Sequence, residues 1–245
     1  MNDAEKKGRS VRVKRRGKRF TLIELLITIS ILAILAALLL PALGQAREKA
    51  KGIRCTGNMR QTAQGITIYA DTFDACLPFD SAKKWGWLLV ESSILPNGHI
   101  LVCPGARELP DWETLITYTD SLTPEICATS GSDKYWKGQY SYGMNQHFIP
   151  SPIRISNLKT PSGKLLLTDC LHKTNSTPYY GVWSSYQPYS TWGNVYSWHT
   201  PALNVTFVDG HVETISGIGR TDVPHNKAQR ERVLAPMMIP QKQSE

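Results

Sequence analysis

The residues able to do chemistry in this 245-residue chain are few and scattered. Five cysteines stand at Cys55, Cys76, Cys103, Cys127 and Cys170. Thiolates and imidazoles hold zinc when closely paired ligands recur along a chain. Here Cys170-Leu-His172 and His99-Ile-Leu-Val-Cys103 are isolated pairs, so no metal is expected from spacing. In an oxidising compartment the thiols could instead form disulfides. Their odd number leaves at least one free or intermolecular, and the pairing stays open. His199, Asp169 and Asp209 are residue types a hydrolase uses. Yet no Gly-x-Ser-x-Gly elbow, phosphate loop or His-Glu-x-x-His helix accompanies them. The expectation is a protein that is not an enzyme and has no cofactor. Asp209-Gly210 reads more simply as a hairpin turn, in which an aspartate bonds its own backbone.

A second cluster is aromatic. Eight Tyr and Trp residues fall between Tyr179 and Trp198, interleaved with Ser, Gly, Pro and Gln. Such rings join an apolar face to a polar edge, which suits contact with sugars or proteins. Tyr186, Trp192 and Trp198 are therefore candidates for a binding loop over residues 179–198, unless the rings close the core beneath it.

These residues must be positioned by what precedes them. From Leu25 to Leu43 there are 19 residues without a charge. As a helix that run spans roughly 29 Å, about the thickness of a bilayer's hydrocarbon core. It exceeds the apolar core of a signal peptide and continues into helix-forming sequence, so it reads as a membrane helix over 22–43. Residues 1–19 carry nine Lys or Arg against Asp3 and Glu5, a net +7 of the chain's +8. Such a flank holds the amino terminus in the cytoplasm and places the remainder outside. The remaining charge is near zero, so the basic balance reports topology and no nucleic-acid partner is expected.

Phe20-Thr-Leu-Ile-Glu24 followed by this apolar run resembles the amino-terminal signature of type IV prepilins and type II secretion pseudopilins. The resemblance implies cleavage between Arg19 and Phe20 by a prepilin peptidase, methylation of Phe20, and inner-membrane insertion. It puts Glu24 at mature position five and Pro41 at twenty-second, where many members carry a kinking proline. Arg19 stands where the family has glycine, with Gly17 three residues ahead of Phe20. A carboxylate near the apolar zone needs a partner. In the family that is a neighbouring subunit's freed amine; an uncut Arg19 could serve within one chain, or Glu24 could snorkel to the headgroups. Ala33 and Ala37 are the small residues through which such helices pack side by side.

The distal half is similar to a second pattern. His199, nine residues, then Asp209-Gly210 resembles the His-x9-Asp-Gly signature of a large prepilin-like family of planctomycete- and lentisphaera-type bacteria, whose second domain has no settled role. Cys55 with Asn58-Met-Arg-Gln61, Cys103-Pro104 and Tyr142-Gly-Met-Asn145 extend the likeness. Pseudopilins often bind Ca2+ in distal loops, which gives Asp209 a minor calcium reading. Its companions Asp169, Glu213 and Asp222 lack a calcium-loop spacing.

The order that follows is a basic leader (1–19), a pilin-like helix (20–75), an extracytoplasmic head (76–220) and a loose tail (221–245). The helix is expected to kink at Pro41 and loosen near Gly52 and Gly57. Its amphipathic stripe would run through Ala46, Ala50, Ile53, Met59, Ala63, Ile66, Ala70 and Phe73. Strands are expected at 85–90, 100–103, 140–143, 164–168 and 204–209, the last turning at Asp209-Gly210 into 211–215. The fold class is α+β, a long helix packed on an antiparallel sheet. The function expected is a pilin-like structural subunit that assembles with like or unlike subunits. The alternative is a monomeric anchored module binding glycan or protein through its aromatic loop.

Overall fold

A computed structural model describes residues 21–78, 84–108, 119, 121–129, 140–145, 153–171, 181–182, 194–195, 198–199 and 202–216. The fold is α+β, with a long first helix, α1 (Leu22–Thr72), and a distal antiparallel sheet. The chain divides into two compact units at Ala46/Arg47, inside α1. The second half of that helix therefore belongs with the head.

In the first unit, α1 opens with a reciprocal cap. The Glu24 carboxylate accepts the Thr21 N–H and hydroxyl, both at 2.9 Å, while the Glu24 N–H donates to Thr21 Oγ1 at 3.2 Å. This capping box satisfies donors that the first turn leaves open. Every residue of this unit from Thr21 onward is exposed. The hydroxyls of Thr28 and Ser30 donate back to the carbonyls of Leu25 and Leu26, so the apolar run shows few unsatisfied polar groups. The helix is long and apolar enough to cross a membrane. It runs as one helical element through Pro41, Gly52 and Gly57, the positions at which a kink and local loosening are expected.

In the second unit the buried face of α1 begins at Cys55 and continues through Met59, Thr62, Ala63, Ile66 and Ala70. Those steps of three and four form one stripe. Ala46, Ala50, Ile53 and Phe73 lie outside it, exposed, contrary to the expected register. The stripe joins a core built from α2 (Trp85–Glu91), which is buried from Trp85 to Val90. Residues 85–90 were expected as a strand. A short apolar run is ambiguous between buried strand and buried helix, and here the helix wins. The expected strand at 100–103 is likewise a 3-10 turn over His99–Leu101. A third short helix, α3, covers Pro124–Thr129.

The sheet comprises β1 (Tyr142–Asn145), β2 (Leu165–Leu171), β3 (Gly181–Val182), β4 (Asn194–Val195), β5 (Ala202–Phe207) and β6 (Val212–Ser216). Its antiparallel path is β1-β2-β5-β6; the short β3 runs parallel to β1, and β4 pairs with β2. β2 is buried on both faces from Leu165 to Cys170, and β5 from Leu203 to Phe207, as befits inner strands. β6 is an edge strand and largely exposed. The β5–β6 hairpin closes where expected, with Thr206 opposite Val212 and Gly210 at φ +87°.

Candidate functional site

Register decides which side chains meet. Tyr142 of β1 lies directly opposite Asp169 of β2. Directly paired antiparallel residues project to the same face. There they meet Cys55 on the buried stripe of α1: the Tyr142 hydroxyl donates to Cys55 Sγ at 3.3 Å, and Cys55 Sγ is 3.7 Å from Asp169 Oδ1. Asp169 Oδ2 accepts the Asn204 N–H of β5 at 3.2 Å. All three groups are fully buried.

A turn delivers the second thiol. Cys103 follows the 3-10 turn, its N–H is held by the Ser141 hydroxyl, and the Gly105 N–H donates back to Cys103 Sγ at 3.4 Å. Gly105 sits close to the site: a Cβ there would lie 3.3 Å from the Trp198 carbonyl oxygen and from His199 Cε1, a tight contact. His199 enters from the start of β5, pinned by the Ala202 N–H on its carbonyl. Its Nε2 stands 3.0 Å from Cys103 Sγ. The ligand atoms of Cys55, Cys103 and His199 all lie within 4.8 Å of one another, and all three residues are buried.

The electrostatics are those of a dry site. Burial pushes the Cys55 thiol well up, and pushes up the Asp169 carboxyl and the Tyr142 phenol. Cys55 and Tyr142 therefore carry their protons near neutral pH. His199 Nδ1 is buried without a hydrogen-bond partner among the described residues. Beside it an open groove of about 480 Å³ runs between α1 (Glu48, Lys49, Gly52, Ile53, Thr56) and the sheet (His199, Ala202, Asn204, Thr214). Thiol, imidazole, carboxyl and phenol at these distances are suited to holding a soft metal ion or to thiol redox chemistry.

The sequence-derived candidates fall in different places. His199 joins the two cysteines, whereas Asp209 and Gly210 form the hairpin turn. Asp209 Oδ1 accepts the His211 N–H at 3.2 Å and contacts His211 Nδ1 at 2.5 Å. Among the described residues Asp209 shares no ligand-like group with Asp169 or Glu213, so the calcium reading gains no donor set there. Trp198 is 3% exposed and donates its indole N–H to the Ser141 carbonyl, so this ring packs in the core and offers no face to a ligand. Tyr186 and Trp192 lie outside the described residues, as do Arg19, Phe20 and Asp222. Glu24, Ala33, Ala37 and Pro41 all lie exposed on the first half of α1. Residue spacing does not join Cys55, Cys103 and His199, the last two being 96 positions apart, although all three stand among the signature pieces of the second resemblance.

Compared with protein-family models, with curated proteins and with solved structures, the chain finds no match.

Proposed function

We propose that this chain is a membrane-anchored, pilin-like structural subunit, inserted in a bacterial inner membrane with its basic end cytoplasmic and its head outside. It would assemble with like or related subunits into a type II secretion or type IV pilus-like system. The observation that carries the reading is the first half of α1. A run of large apolar residues from Leu22 to Leu43 lies open to solvent, which a soluble surface does not tolerate. Lipid, and then neighbouring helices meeting at Ala33 and Ala37, would cover it.

Glu24 supplies the test, because its capping box gives it a second job. Glu24→Gln keeps the cap, since a glutamine also serves at that position, but removes the charge. Thr21→Val keeps the charge and removes the cap's hydroxyl. If Glu24 acts by pairing with an amine of a neighbouring subunit, Glu24→Gln abolishes the cross-linked multimers recovered from membranes, while Thr21→Val leaves them and both variants still insert. Multimers persisting in Glu24→Gln would remove the charge-based assembly role. Mass analysis of the membrane-derived amino terminus tests processing separately, methyl-Phe20 being the expected species.

A further inference from the structure

We infer that Cys55, Cys103 and His199 form a metal site in the head, with zinc(II) as the ion whose chemistry fits the donors. Three parts of the chain distant in sequence, namely α1, the turn after the first 3-10 helix and the entry to β5, each deliver one donor atom to a single buried point. On tetrahedral zinc, with bonds of about 2.3 Å to sulfur and 2.0 Å to nitrogen, neighbouring ligand atoms stand about 3.5–3.8 Å apart. The observed 3.0 Å between Cys103 Sγ and His199 Nε2, with all three atoms inside 4.8 Å, needs only small side-chain shifts to admit the ion.

The surroundings favour thiolates once a cation is there. Both sulfurs receive hydrogen-bond donors, from the Tyr142 hydroxyl and from the Gly105 N–H. Outer contacts of this kind orient and stabilise metal-bound thiolates. Each thiol would release one proton on binding. Two thiolates then balance the divalent charge, so the buried centre is neutral. Asp169 stands outside the triangle: its Oδ1 lies 3.7 Å from Cys55 Sγ, and its Oδ2 accepts the Asn204 N–H. Three protein ligands leave one coordination position for water or a small ligand.

Two other uses of these residues fit less well. A Cys55–Cys103 disulfide would leave His199 Nε2 only a weak sulfur acceptor, beside an Nδ1 already without a partner among the described residues. A Cys103–His199 nucleophile pair needs a group that orients Nδ1 and a thiol that substrate can reach. Nδ1 has no such partner among the described residues, and Cys103 is 0% exposed.

The test uses the full-length chain in detergent, reduced, stripped with a chelator and titrated with ZnCl2 or CoCl2. One metal ion per chain is expected, with release of two protons and, for cobalt, the absorption of thiolate-to-metal charge transfer. Cys55→Ser, Cys103→Ser and His199→Gln should each lose the stoichiometric ion, whereas Cys76→Ser and Cys127→Ser retain it. Should the variants fail to fold, the cobalt spectrum of the unaltered chain decides: absence of the charge-transfer band overturns the site. It is equally overturned if Cys103→Ser still binds one zinc, or if the chain isolated without reductant carries a Cys55–Cys103 disulfide and takes up no metal after reduction.

Discussion

The two halves of α1 are one helical element with opposite surfaces. Before Ala46 the helix is apolar on every side and wholly exposed, with Leu35 51% and Leu38 72% accessible. After Arg47 it is amphipathic, and Cys55, Met59 and Ala63 are 0% accessible. Similar residues thus have different fates. Ala33 and Ala37 face outward, while Ala63 and Ala70 are in the core. The difference teaches that apolar character alone does not bury a helix in its own fold. Burial needs a polar opposite face, so that one stripe can be chosen. An all-round apolar helix waits for a different solvent.

The contrast breaks most directly by the same kind of deletion in each half. Met59→Ala removes a fully buried side chain and should destabilise the head by about 2–5 kcal/mol. Leu35→Ala removes an exposed one and should shift head unfolding by less than about 0.5 kcal/mol. Denaturant unfolding in detergent, followed by tryptophan fluorescence, measures both. Equal effects would mean that the two halves do not differ in the way their exposure indicates.

This contrast also sets what the sequence could disclose. The uncharged run, the stripe at Met59, Ala63, Ile66 and Ala70, and the Asp209-Gly210 hairpin are local patterns, and local physics produces them. Trp85–Val90 was misread because a short run buried on every side has no period to expose its geometry. The stripe's upper limit was misplaced because Ala46, Ala50 and Ile53 fit the spacing, and only tertiary packing decides that burial starts at Cys55. Cys55, Cys103 and His199 stand out as signature pieces in the sequence, but their meeting in space was illegible for another reason. They meet through the register of β1 with β2 and the entry to β5, and neither is written in any window of sequence.

Lys84 sharpens the comparison from the head's side, since the head also buries a lysine. Lys84 is 4% exposed at the start of α2, and burial lowers its pKa from 10.5 to about 7. Between those values the unfolded chain binds a proton that the folded chain does not, so stability rises with pH. Below pH 7 both states are protonated and the cost is present in full. From pH 7 to pH 9 the gain should be about 2–3 kcal/mol at most. Lys84→Met should flatten that slope in a denaturant series. A slope unchanged by the substitution would show that another group titrates.

At the head's edge backbone geometry acts without packing, and the expected effect is small. Gly210 adopts φ +87°, and a Cβ added there meets nothing within 4 Å. Gly210→Ala should therefore cost only the strain of a left-handed backbone, about 1 kcal/mol. Gly210→Asn should cost less, because asparagine tolerates that region. Gly105→Ala is the half-buried counterpart, where the added carbon meets the Trp198 carbonyl and the His199 ring at 3.3 Å and both must give by a few tenths of an ångström. Unfolding free energies for the three variants should rank Gly105→Ala above Gly210→Ala, and that above Gly210→Asn. If asparagine costs as much as alanine at 210, the penalty there is not conformational, and the hairpin must be held by contacts beyond its own turn.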